Sequence, residues 1–433
     1  MCVKCKNLKT KSKRQQENGS GSYSGVIPEQ KSGFSNAQND QKVTSSAPLE
    51  DYVESASLPP AYDHKPSREK RYKIQSIAQE LLLKKARKLG LEQPFNFHKT
   101  TKCKRIRVAS EVSVNKANTK AFYGGLSTCN NPWACPVCSS VIQEKRRQEN
   151  AKAVDWAYDE LKGKAIMLTF TFPHGLKDKL KASLDKQKQA FRLLRGGKVW
   201  DKHKTKIGFE GLIRSLEVVH GVNGWHPHTH ELWFTSKDVD AEALKQFVLN
   251  RWWNVCIKVG LVVETDKSAF LKHAVDVKDN ASNSDYLAKH DGERYWGADR
   301  EVAKGNAKNK GKGRHPFELL EAYDDLGDER SGKLFLEYAE AIKGKAQVFW
   351  SHGLKAKVGI EDVSDEEIEE GDSNSKSAWE VLGFLDRDQW DVVLLNRLRS
   401  KVLDVAEKDG FHAVLKLLED TVQANLDFFN NTS

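Results

Sequence analysis

The stretch Trp225-His226-Pro227-His228-Thr229-His230-Glu231-Leu232-Trp233-Phe234 limits the fold more than any other part of the chain. Its residues alternate, and alternate side chains of a β-strand share a face. His226, His228, His230, Leu232 and Phe234 then point one way, and Pro227, Thr229, Glu231 and Trp233 the other. Three imidazoles on one pleat are poor strand formers and costly to bury without a partner. A divalent metal is the usual partner, because neutral imidazole is a good ligand. The plainer reading is a wet strand face that happens to be rich in histidine.

Residues 212–219 form a second strand pattern upstream, and His220-Gly221-Val222-Asn223-Gly224-Trp225 carries the Gly and Asn of a hairpin turn. If His220 pairs with Trp225 across a four-residue loop, Val219 faces His226, Val218 faces Pro227 and Glu217 faces His228. Directly opposed Cβ atoms lie about 5 Å apart, so Glu217 becomes a third, carboxylate ligand. A register slip of one residue would turn it to the other face and leave a solvated glutamate.

Seven cysteines is an odd count for a disulfide framework. Cys103, Cys129, Cys135 and Cys138 fall within 36 residues. The Cys135-Pro136-Val137-Cys138 knuckle sets two thiolates on one tight turn, and two distant thiolates complete a tetrahedral structural Zn²⁺ site. Cys103 is the weakest member, with His98 its nearest rival, and reduced core thiols are the alternative. Cys2 and Cys5 read as a chance pair in a tail.

The chain has 433 residues, room for two or three domains. No apolar run approaches the roughly 20 residues of a membrane span, and the N-terminus lacks an apolar leader pattern, so the expected location is the cytoplasm with no membrane partner. The net charge of +10 favours a polyanionic partner.

Five segments are expected. Residues 1–70 are polar and should be disordered. Residues 71–158 form the zinc-binding module with basic helices, the first over 73–91 and another over 139–156, with Trp133 packing beside the knuckle. Residues 159–300 are the catalytic domain. It has a strand at 165–172, helices at 180–194 and 241–259 with Trp252 and Trp253 in the core, and an alternating strand at 270–277. A helix then opens at 283–290 behind Asn283 or Ser284. Residues 301–360 are a basic linker and helical extension, amphipathic at 334–343. Residues 361–433 begin with eight carboxylates in twelve residues, a boundary, and continue as a helical C-terminal region.

On the 283–290 helix Tyr286, Lys289 and His290 share a face. A helix tyrosine is more often core than nucleophile; the histidine strand is what turns the reading toward catalysis. Leu168-Thr169-Phe170-Thr171, then Gly224 to His230, then Tyr286-Leu287-Ala288-Lys289 resemble the three ordered motifs of the HUH endonucleases, most closely the plasmid rolling-circle replication initiators. Each motif alone is weak; their order, with the cysteine cluster, makes the set specific. The resemblance runs from about residue 103 to 359.

The resemblance implies an α+β fold: an antiparallel β-sheet with flanking helices, preceded by the four-cysteine module and followed by helical segments. The 165–172 strand would be central, its threonines mostly serving the fold. His228 and His230, with Thr229 between them, and Glu217 would hold Mn²⁺ or Mg²⁺, with His226 a further candidate. Tyr286 would attack a phosphodiester of single-stranded or extruded origin DNA, leaving a 5′-phosphotyrosine and a 3′-hydroxyl primer, while Lys289 binds phosphate or positions the tyrosine oxygen. A host helicase and replication machinery would be partners. Some relatives carry a water-activating glutamate four residues before the tyrosine; here Ser282 stands there, with Asp285 and Asp279 the nearest carboxylates. The rival readings are a conjugative relaxase or single-strand transposase, a metal-dependent hydrolase of small substrates, and a non-enzymatic zinc-containing DNA-binding protein.

Overall fold

Two antiparallel sheets grow from these patterns. The structure, a computed structural model, describes residues 67–93, 96–279, 313–364 and 379–432. In chain order the elements are α1 (Arg68–Lys88), β1 (Val112–Ala117), β2 (Lys120–Gly124), α2 (Pro136–Asp159), β3 (Lys164–Phe170), α3 (Leu180–Leu194), α4 (Lys198–Ile207), β4 (Phe209–Gly221), β5 (Gly224–Thr235), α5 (Ala241–Val259), α6 (Lys267–His273), β6 (Val275–Lys278), α7 (Pro316–Leu326), α8 (Glu329–Ala341), β7 (Val348–Trp350), α9 (Leu354–Val358), β8 (Trp379–Leu385), α10 (Arg387–Leu395) and α11 (Arg399–Thr432). The larger sheet runs β6-β3-β5-β4-β7 and the smaller β2-β1-β8. The chain is thus α+β, with antiparallel sheets, flanking helices and the four cysteines ahead of the larger sheet.

The period-two pattern of the central strands buries both faces of the larger sheet. Ile166, Leu168, Phe170 and Trp233 pack on α3 and α5. There Phe170 meets Phe191 and Trp252 with both ring centroids 5.3 Å away, and Phe191 stacks on Trp252 at 4.9 Å. Such pairs contribute about 0.5–1.5 kcal/mol each beyond their buried area. Ala165, Met167, Ile213, Leu232 and Phe234 point the other way, onto Ala153, Val154, Trp156 and Ala157 of α2. The histidines of β5 continue this second face, so α2 runs across the surface that carries them.

A buried ion cluster ties β5 to the end of α3. Glu231 is fully buried and accepts from Arg214 Nε at 2.6 Å, Arg195 Nη1 at 2.7 Å and Trp233 Nε1 at 2.7 Å. Three charge-assisted or directed bonds offset the cost of taking that carboxylate out of water.

Two elements differ from the sequence expectation. Residues 270–277 were expected to alternate as one strand, but α6 takes the first half and β6 the second. Asp266 accepts from the Val263 N–H at 3.0 Å and closes the turn that launches α6, while Phe270 buries in the core. The region after residue 378 opens with a strand, β8, before its helices. β8 pairs along β1 from Val112↔Leu385 to Ala117↔Trp379. Its aromatic and β-branched residues suit a strand, and the partner lies more than 260 residues away, beyond the reach of local pattern. Trp390 anchors the following helix by donating to Arg105 O at 3.0 Å. Among the described residues no helix is long and apolar enough to cross a membrane.

Candidate active site

The β4–β5 hairpin sets the register counted from the sequence: His220↔Trp225, Val219↔His226, Val218↔Pro227 and Glu217↔His228. The loop is tighter than expected, because Gly221 and Gly224 also pair and leave only Val222 and Asn223 to turn. Gly224 makes this possible with φ +93°, and a Cβ there would meet Gly175 O at 3.0 Å.

This register gathers three candidate ligands, one carboxylate and two imidazoles, on one face. Glu217 Oε2 lies 2.8 Å from His228 Nε2 and 3.7 Å from His230 Nε2. Ligand atoms about 2.1 Å from one octahedral ion stand roughly 3 Å apart, so this spacing fits a small divalent cation. Glu217, His228 and His230 form one of two groups among the described residues able to hold a metal. His228 Nδ1 is buried without a hydrogen-bond partner.

His226 takes another position. Its Nε2 lies 3.3 Å from Thr171 Oγ1, and its ring meets that of His174 with centroids 4.5 Å apart. Burial, reinforced by His228 and His174, lowers its pKa to about 4. His230 meets β3 as well, its Nδ1 3.0 Å from Thr169 Oγ1. Thr169 of β3 and Thr171 just beyond its end therefore contact the histidine face, which the sequence reading did not anticipate; a signal was present in their two-residue spacing.

A shallow cleft opens beside Glu217. Gln143, Arg146 and Asn150 line it from α2, where their spacing puts them on one helical face. His315, Tyr338 and Gln347 close it from later in the chain. His315 caps α7 by accepting from the Phe317 N–H at 3.2 Å, and burial lowers its pKa to about 4. Burial pushes the Tyr338 hydroxyl up. Neither residue carries a local sequence signal.

The four cysteines form the second metal-capable group. All are buried. Cys103 Sγ lies 3.4 Å from Cys138 and 3.6 Å from Cys135, and Cys129 lies 3.6 Å from Cys138. Sulfurs bound tetrahedrally to zinc at about 2.3 Å stand roughly 3.8 Å apart, so the cluster fits such an ion. Pro136 at the first turn of α2 holds the knuckle, with Cys135 as N-cap residue. His98, the rival of Cys103, instead caps the 3₁₀ turn Lys99–Lys102. Trp133 packs as expected, donating from Nε1 to Lys345 O at 2.7 Å.

Ser282, Asn283, Ser284, Asp285, Tyr286, Lys289 and His290 lie outside the described residues, as do Cys2 and Cys5. Asp279 is described, and it pairs with Lys164 Nζ at 3.1 Å.

Comparison with known proteins adds an independent line. No solved structure matches the chain. It is 29% identical to "Protein rep" of Streptomyces lividans over 359 residues, 67% of this chain and 73% of that protein. It is 31% identical over 134 residues to the "Neomycin resistance protein" of Streptomyces cyanogenus, covering 25% of this chain and 30% of that protein. The profile of the Rep_1 family, described as replication protein, matches residues 123–383, a span that holds both sides of the histidine hairpin and most of β8. That is more than half of the 433 residues, and the chain belongs to the Rep_1 family of replication proteins.

Proposed function

We propose that the chain initiates rolling-circle replication of a plasmid by nicking and rejoining single-stranded or extruded origin DNA. The observation that carries this is the Glu217, His228 and His230 constellation on the β4–β5 hairpin of a Rep_1 chain. Glu217, His228 and His230 hold one Mn²⁺ or Mg²⁺, and the mixed nitrogen and oxygen donors suit Mn²⁺ well. The bound ion supplies charge neutralisation at a non-bridging phosphate oxygen. Tyr286 attacks the phosphorus; the bond from its oxygen to phosphorus forms, the bond to the 3′ oxygen breaks, and the phenolic proton ends on the leaving 3′ oxygen. Lys289 holds the phosphate or the tyrosine oxygen in line. The phosphotyrosine keeps the bond energy, so the strand is rejoined without a nucleotide cofactor. The four cysteines hold a structural Zn²⁺ that fixes the start of α2, and α2 in turn forms a wall beside Glu217. The basic charge serves DNA binding, with a host helicase and replication machinery acting on the nicked product.

The test is incubation of the full chain and Mn²⁺ with a degenerate pool of single-stranded oligonucleotides, labelled at either end. A 3′ label should travel with the protein, and a 5′ label should appear on a free fragment that a polymerase extends. Hydrolysis without adduct, or the reverse label pattern, overturns the proposal.

A further inference from the structure

We infer that Thr169 is a positioning residue that commits His230 to metal binding through Nε2, while Thr171 withholds His226. This rests on the metal-dependent reading above. β3 pairs with β5 so that Thr169 stands opposite His230, on the face shared with Glu217. Thr169 Oγ1 lies 3.0 Å from His230 Nδ1. An imidazole that offers its Nε2 lone pair to a cation carries its proton on Nδ1, and that N–H requires an acceptor. Thr169 Oγ1 is placed to accept it. The same bond orients the ring, with Nδ1 tied to β3 and Nε2 turned toward Glu217 Oε2 at 3.7 Å.

Thr171 makes the opposite contact two residues on. Its Oγ1 lies 3.3 Å from Nε2 of His226, the atom that His230 turns toward Glu217. His226, His228 and His230 look equivalent in the sequence, since all share one face of β5. Cross-strand contacts separate them: Glu217 holds His228 directly at 2.8 Å, Thr169 turns His230 inward, and Thr171 occupies His226. Valine would serve a central strand as well as threonine, because both are β-branched. The hydroxyls are what the sheet itself does not require.

The experiment measures Mn²⁺ affinity of the purified full chain by electron paramagnetic resonance, without DNA, beside its melting temperature. Thr169→Val keeps the shape and removes the hydrogen bond. It should weaken Mn²⁺ binding by about 10–100-fold at an unchanged melting temperature, as expected for loss of a ligand's outer partner. Thr169→Ser should restore binding to within about threefold of wild type. Thr169→Val binding Mn²⁺ as tightly as wild type overturns the inference, and so does Thr169→Ser binding no better than Thr169→Val. A wild-type chain that binds no Mn²⁺ overturns the metal reading itself, and this inference with it.

Discussion

Gln75 donates from Nε2 to Cys135 Sγ at 3.1 Å, and its Oε1 accepts from Arg399 Nη1 at 2.8 Å. One buried amide thus joins α1, the cysteine knuckle and the first turn of α11. Arg399 also donates to Lys104 O at 3.0 Å and Ser76 Oγ at 2.7 Å. Gln79 donates to Cys103 O at 2.8 Å, so two glutamines one helical turn apart hold two of the four cysteines. The C-terminal helices are built into the support of the metal-capable thiols.

This network makes the first prediction quantitative. Metal analysis should return about one zinc per chain, as for a closed four-thiolate site. Cys135→Ser should lose the metal and lower the melting temperature. Gln75→Ala should retain zinc yet lose about 1–3 kcal/mol, because a buried guanidinium is left short of a partner. Full stability in a zinc-free protein contradicts the assignment.

The hairpin geometry makes the second. His228→Ala and His230→Ala should each lower nicking on the order of a thousandfold, because in the proposed mechanism several kcal/mol of charge stabilisation would depend on an ion held by these residues. Circular dichroism should stay unchanged. His226→Ala should cost far less, since its Nε2 is engaged by Thr171. Equal loss in all three variants would mean that the ligand pair is misassigned. Glu217→Gln that nicks at the wild-type rate would remove the carboxylate from the site.

Two half-buried histidines set the third. Burial lowers the pKa of both His98 and His315 from 6.5 to about 4. Their folded-state values lie below the unfolded ones, so folding favours the neutral rings. The associated stability is present above about pH 6.5 and is lost as pH falls toward about 4. Urea midpoints at about pH 7.5 and about pH 5 should show the decline. His315→Gln should flatten part of it, whereas identical slopes in the two proteins would exclude His315 as a contributor.

How much of this was legible depends on the distance over which each feature is specified. The bounds of α3 and α5 coincide with those read from sequence because their signals are local. The α5 helix starts on the Asp240 side chain, which accepts from Glu242 N and Ala243 N, and ends on left-handed Gly260. The hairpin was readable because two-residue alternation and a Gly-Asn turn fix Glu217 against His228 within twelve residues. The contact of Thr169 with His230 spans 61 residues and needs the β3–β5 register, which no local pattern supplies. His315 and Tyr338 reach the cleft from α7 and α8, about a hundred residues after β4, and look like ordinary cap and core residues in the sequence. The β1–β8 pairing spans more than 260 residues and was missed for the same reason.

The central claim is that Tyr286 and the ion held by Glu217, His228 and His230 act together on one phosphodiester. The most direct measurement is peptide mapping of the covalent protein–DNA adduct formed with Mn²⁺, for wild type and Tyr286→Phe. The account predicts a single nucleotide-bearing peptide containing Tyr286, linked through the 5′ phosphate, and no adduct from Tyr286→Phe even though that protein still folds and binds single-stranded DNA. An adduct on Tyr295 or Tyr323, or an undiminished yield from Tyr286→Phe, would contradict it.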